Sequence, residues 1–156
     1  MSYIEDGFKR ERRCCFVGYT PEKLNRPPVL MRTKLREAIQ REITEGHTTF
    51  VCGLNRGIEL WSADIVLNER KDDDRVKLIC IDPENCGTDE EWRQSCIKIM
   101  ESADLVRSLR YKDISGRNRW MLDRCANLIA VYNGSKDSTK QAIDYAVRSR
   151  VNVRIL

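Results

Sequence analysis

Three glycine-bearing loops and one arginine-rich stretch carry the residues of this chain that could do chemistry. Gly18-Tyr19-Thr20-Pro21 follows one short apolar run, and Gly53-Leu54-Asn55-Arg56-Gly57 follows another and leads into an apolar helical stretch with Glu59 in its first turn. Asn133-Gly134-Ser135-Lys136-Asp137-Ser138-Thr139 lies between a third apolar run and the last helical stretch. A glycine lets backbone approach a ligand closely, the Thr20 hydroxyl can donate, and the Arg56 guanidinium can clamp a phosphate. Backbone donors, hydroxyls and Lys136 at a helix start also suit a phosphate. Each feature has a plainer use: a ligand-free turn, N-capping by Asp137 or Ser138, and for Glu59 the attraction of a carboxylate to a helix N-terminus. The chemical alternative for Glu59 is to accept from ribose hydroxyls, or to act as nucleophile or base at a glycosidic carbon. In the fourth stretch, Arg117-Asn118-Arg119-Trp120-Met121-Leu122-Asp123, Arg117 could pair bidentately with phosphate or carboxylate while Asn118 reads a polar edge. Two arginines on a surface turn are more often simply solvated.

Elements must hold these loops in register, and the sequence supplies them in alternation. Six short β-like runs occur at Arg13 to Val17, Thr48 to Cys52, Val76 to Ile81, Asp104 to Leu109, Asn127 to Tyr132 and Val151 to Ile155. Most are apolar without strict alternation, which fits strands covered on both faces. The fourth, interrupted by Arg107, is the least regular. Between them, Met31, Leu35, Ala38, Ile39 and Ile43 fall on one helical face that Gly46 can end. Trp92, Cys96, Ile99, Met100 and Ala103 make a second stripe, and Ala142, Ile143, Ala146 and Val147 a third. Ile58 to Leu67 is apolar around most of its circumference, so that helix is expected to be sandwiched, with a partner subunit on its outer side as one arrangement. Pro27 and Pro28 mark the loop before the first helix. This order predicts an α/β fold, a Rossmann-like three-layer α/β/α arrangement with a mainly parallel sheet of about six strands. Residues 1–12 read as a charged flank and residues 13–156 as one domain.

Composition narrows the partners. The 156 residues suffice for a single core. Twenty-eight lysines and arginines against 24 acids leave a formal charge of only +4, with the two signs interleaved. The local basic cluster Lys9, Arg10, Arg12 and Arg13 fits a solvated strand flank, with a phosphate-backbone or acidic-partner contact as the lesser alternative. Seven cysteines with no CxxC pair, several inside apolar runs, read as buried reduced thiols and hence a reducing compartment. With His47 the sole histidine, the usual mixed zinc sets cannot be built, and neither a metal nor a cofactor is expected. No stretch approaches the ~20 apolar residues of a membrane span, and Met1 to Arg13 lacks a signal-peptide core, so a cytoplasmic location is expected.

In order and spacing, Cys15 to Pro21, Cys52 to Asp64, Arg117 to Asp123 and Tyr132-Asn133-Gly134 with Thr139 resemble the SLOG superfamily, the Rossmann-like group of the SMF and Lonely Guy proteins, and within it the YpsA-like branch. The resemblance spans the chain from residue 14 and implies a nucleotide or nucleotide-derived ligand across the strand ends. It brings no settled reaction. Two departures stand out. The family usually carries aspartate where this chain has Glu59, and a typical Gly-Gly-Thr before the last helix is Lys136-Asp137-Ser138-Thr139 here. The second restricts backbone approach and adds negative charge, and the glutamate that Lonely Guy hydrolases use after that motif falls near Ala142. The leading expectation is therefore a module that senses or sequesters a nucleotide-like small molecule, with an enzyme acting at an N-glycosidic bond as the alternative. An SMF-like nucleic-acid role comes third, since no basic run is interleaved with aromatics. The apolar helix from Ile58 makes a homo-oligomer the expected assembly.

Overall fold

The structure is a computed structural model describing residues 10–84 and 86–156. Lys9 and most of the charged flank lie outside the described residues. Six strands, β1 (Arg13–Val17), β2 (Thr49–Cys52), β3 (Lys77–Ile81), β4 (Leu105–Arg107), β5 (Asn127–Ala130) and β6 (Asn152–Ile155), form one sheet in the order β4-β3-β2-β1-β5-β6. Every neighbouring pair is parallel, with Cys15 opposite Val51 on one side and Leu128 on the other. Five helices connect them: α1 (Pro28–Thr44), α2 (Ile58–Arg70), α3 (Glu90–Ser102), α4 (Ile114–Asp123) and α5 (Ser138–Arg148). This is the expected Rossmann-like α/β architecture.

Chain direction sorts the helices into layers. From β1 to β4 the chain steps one way across the sheet, and it then returns past β1 to lay down β5 and β6. With crossovers of one hand, that reversal moves α4 and α5 to the opposite face. The two cores agree. Cys14, Phe16, Phe50 and Leu78 pack with Met31, Leu35, Ile58, Val66 and Ile99 from α1, α2 and α3. Cys15, Val17, Val51 and Leu128 pack with Met121, Leu122, Ile143 and Ala146 from α4 and α5. Successive strand residues thus enter opposite cores, which is why β1, β2, β3 and β5 are apolar at every position after their first residue.

Departures from the expected boundaries have physical reasons. The β4 strand is only three residues long, because it is an edge strand whose Val106 and Arg107 are exposed. The β5 strand ends at Ala130, although Val131 still donates to the Val17 carbonyl. Pro28 opens α1 as its first helical residue, where a missing N–H costs no helix bond. All seven thiols are free, and every one except Cys86 is buried.

Candidate functional site

Beyond the carboxyl edge of the sheet, the loops after β1, β2 and β5 lie side by side because their strands are neighbours in the order β2-β1-β5. The direction reversal falls between β1 and β5, the switch point where open α/β sheets form a crevice. Tyr19 joins all three loops. Its carbonyl accepts from the Ile58 amide at 3.1 Å, and its hydroxyl accepts from the Asn133 amide at 3.4 Å. The Asp137 carboxylate and the Thr139 hydroxyl lie near the same hydroxyl. Burial, reinforced by the Asp137 carboxylate, lifts the Tyr19 phenol above its ordinary value and keeps it neutral. The Asn133 side chain donates to the Lys23 carbonyl, closing the far side.

The glycines differ in what they face. A Cβ on Gly18 would lie 2.6 Å from Ile58, and one on Gly57 2.2 Å from the Tyr19 carbonyl oxygen. One on Gly53 would lie 2.0 Å from Arg117 Nη1. A side chain at any of these three positions would collide with other parts of the protein, so close packing requires glycine there. Gly134, with φ near +92°, has nothing within 4 Å of a built Cβ and faces open space.

Gly53 makes way for a buried ion pair that crosses the sheet edge. Arg117 from α4, on one face, reaches over the end of β2 to Glu59 of α2, on the other. Its two terminal nitrogens donate to Glu59 Oε1 at 2.7 Å and Oε2 at 2.6 Å, a bidentate fork, and Nη2 also donates to Asn118 Oδ1 at 2.7 Å. Glu59 Oε1 further accepts from the Asn55 amide at 3.1 Å. Both charged side chains are almost wholly buried, at 2% and 1% exposure for Glu59 and Arg117. Burial alone would lower the Arg117 pKa, but the Glu59 carboxylate outweighs it and raises it. Arg117 is therefore no solvated surface arginine. The pair fastens the two helical layers together beneath the loops.

At the helix starts the structure separates two possible anion seats. Asp137 caps α5 by accepting from the Lys140 amide at 3.1 Å, so a carboxylate already sits at that N-terminus. Ser138 is the first helical residue rather than the cap, Thr139 is buried, and Ser135 and Lys136 point to solvent. The start of α2 has no side-chain cap, and among the described residues the amides of Arg56 and Gly57 make no hydrogen bond. Half-buried Thr20 lies next to that start, 3.0 Å from a built Gly57 Cβ. Arg56 itself is engaged by Glu22 and, at 3.6 Å, by Asp89.

Sequence reasoning missed the residues that fix the β2–α2 loop from outside. Leu54 adopts a left-handed φ of 67°, and its carbonyl accepts from Trp92 Nε1 at 2.8 Å and from the Cys96 thiol at 3.6 Å, both on α3. Trp92 showed only as an apolar-stripe residue, and nothing in its spacing marks the indole N–H as a loop anchor. A second polar cluster sits at the opposite end of the strands, where buried Glu42 accepts from Asn127 at 2.6 Å and Arg154 at 3.0 Å and lies 3.2 Å from His47 Nδ1. Glu42, Glu45 and His47 are close enough to share a cation, but the Arg154 guanidinium already neutralises Glu42 and would repel one.

The model of the YspA SLOG family matches residues 14–153. The UPF0398 protein of Halalkalibacterium halodurans is 23% identical over 118 residues, covering 67% of this chain and 62% of that protein. Among solved structures, DNA processing protein A of Streptococcus pneumoniae superimposes with a TM-score of 0.54 at 12% identity, over 97% of this chain and 60% of that one. The chain thus spans somewhat under two thirds of either relative, and the structural likeness concerns the fold.

Proposed function

The chain belongs to the YspA SLOG family, and from that premise we propose that it binds a nucleotide-derived phosphorylated small molecule at the carboxyl edge of the sheet, as a sensor or sequestering module. The observation that carries this is the pair of amides at Arg56 and Gly57, just ahead of α2 and beside the β1–β5 switch point, that make no hydrogen bond among the described residues. Two amides without acceptors, next to the positive end of a helix, suit a phosphate. Thr20 adds a hydroxyl donor there. The open side of Gly134 and the edge of Asn133 leave room for a base or sugar on the β5 side of Tyr19. The seat at α5 is the poorer one, since the Asp137 carboxylate competes with any anion for its amides.

Titration calorimetry against nucleoside mono- and diphosphates, cyclic nucleotides and ADP-ribose tests this reading, with native mass spectrometry of protein purified from cells as the companion measurement. One ligand class should bind, and Thr20→Val and Gly134→Val should each weaken it by about tenfold or more. No binding across that panel, and no retained mass, would sink it.

Cleavage at an N-glycosidic bond is the weaker alternative. Both oxygens of Glu59 are held by Arg117, so a catalytic carboxylate would require that buried fork to open. Equal release of free base by wild type and Glu59→Gln removes it. The name of DNA processing protein A raises nucleic acid as a third ligand, which a gel shift at low salt decides. A cytoplasmic location and a homo-oligomeric state are part of the same proposal. Among the described residues, no helix is long and apolar enough to cross a membrane.

A further inference from the structure

On the far side of one helical layer, away from the crevice, α1, α2 and α3 enclose a trough of about 870 Å³. Its floor is the outer face of α2, where Leu60, Trp61 and Leu67 are only half buried and Asp64 is exposed. These are the residues that made the helix read as apolar all round. The walls are the flank of α1 with Arg32 and Arg36, and the stripe of α3 with Ser95 and Lys98, while Lys71 stands at the end of the floor.

Charge in the trough is unbalanced. Arg70 is spent on Asp104 at 2.9 Å and on the Ser102 carbonyl. Arg32, Arg36, Lys71 and Lys98 form no ion pair among the described residues, and the carboxylates present are Asp64 and Glu91. Arg32 lies over the Trp61 ring at 4.5 Å, which keeps its charge at the rim and holds the indole flat against the floor.

We infer that this trough docks an acidic amphipathic helix of a partner protein, with leucine-like side chains on Leu60, Trp61 and Leu67 and carboxylates facing Arg36, Lys71 and Lys98. The 13 residues of α2 give a floor about 20 Å long, enough for three to four turns of a partner helix. Basic walls above an apolar floor match the helix-in-groove mode of recognition, in which apolar anchors give affinity and rim charges choose the partner. A second copy is the poorer occupant of this face, because it brings the same surplus of positive charge to a like-charged surface, so the proposed homo-oligomer is assigned to another face. Single-stranded nucleic acid would find phosphate contacts but no stacking platform, since Arg32 already covers the Trp61 face.

The test uses a fluorescein-labelled acidic amphipathic peptide of roughly 18 residues, with leucines at helical spacing and glutamates elsewhere, and a scrambled peptide of the same composition. Saturable anisotropy that weakens with salt is expected, with the scrambled peptide about tenfold weaker or worse. Arg36→Glu with Lys98→Glu should weaken binding by about tenfold or more without moving the melting temperature, since both side chains are exposed. Equal binding of the two peptides, or none, overturns the inference. So does tighter binding of a thymidine oligonucleotide, or a concentration-dependent dimer in sedimentation that the double variant dissolves.

Discussion

At the scale of single residues, the Glu59–Arg117 fork is the most consequential contact in the molecule. A buried charge stripped of its partner is far more costly than the pair is favourable. Arg117→Met or Glu59→Gln should therefore destabilise the fold by about 3–5 kcal/mol, seen as a lower urea midpoint. Glu59→Leu combined with Arg117→Met should recover most of that loss, and single variants costing under about 1 kcal/mol would disprove the account. Glycines rank by what they face. Gly53→Ala drives a methyl into Arg117 and Glu59, where about 1–3 kcal/mol of overpacking is expected, whereas Gly134→Ala meets open space and pays only its left-handed φ, about 1 kcal/mol. The types of Glu59, Arg117 and Gly53 were legible as chemistry in the sequence. Their joint geometry was not, because Arg117 and Glu59 lie 58 positions apart in opposite layers.

At the scale of elements, the β2–α2 loop is held by α3 as well as by its own glycines. Leu54 holds a left-handed φ because Trp92 Nε1 and the Cys96 thiol anchor its carbonyl. Removing the indole donor in Trp92→Phe should cost about 1 kcal/mol. It should also speed amide exchange through residues 53–57 and weaken any ligand bound at the start of α2. Unchanged exchange in that loop would show that the anchor is dispensable. Strand positions were readable because two-sided burial forces continuous apolar runs, three helices were readable from their stripes, and α2 from its apolar circumference. Where a boundary moved, a local contact decided it. Exposure at the sheet edge shortened β4, and of the two caps the sequence offered for α5 the structure uses Asp137. The apolar circumference of α2 was also legible, but its outer face opens into a basic trough that no periodicity reveals.

At the scale of the whole molecule, the alternation of strand and helix dictated the layers, and the layers placed six thiols in the two cores without a disulfide. That placement carries a pH dependence. Burial pushes the Cys80 thiol from 9.0 up to about 12, and burial with the neighbouring Cys86 does the same for Cys96. Cys14 and Cys52 are raised by burial as well, and Cys15 chiefly by its hydrogen bond with Cys125. In the unfolded chain these thiols ionise near their ordinary value, so the native state binds more protons above about pH 9. Stability from this source is thus complete below pH 9 and drains away as pH climbs toward 12, by up to roughly 4 kcal/mol for a thiol shifted as far as that of Cys80. Melting temperature should stay level from pH 7 to about 8.5 and fall steeply by about 10.5. Cys80→Ala should cost a little at pH 7, through a small cavity, yet show a shallower alkaline slope than wild type. Parallel slopes for the two proteins would mean that the buried thiols do not govern the alkaline limit, and that the ionisation responsible lies elsewhere.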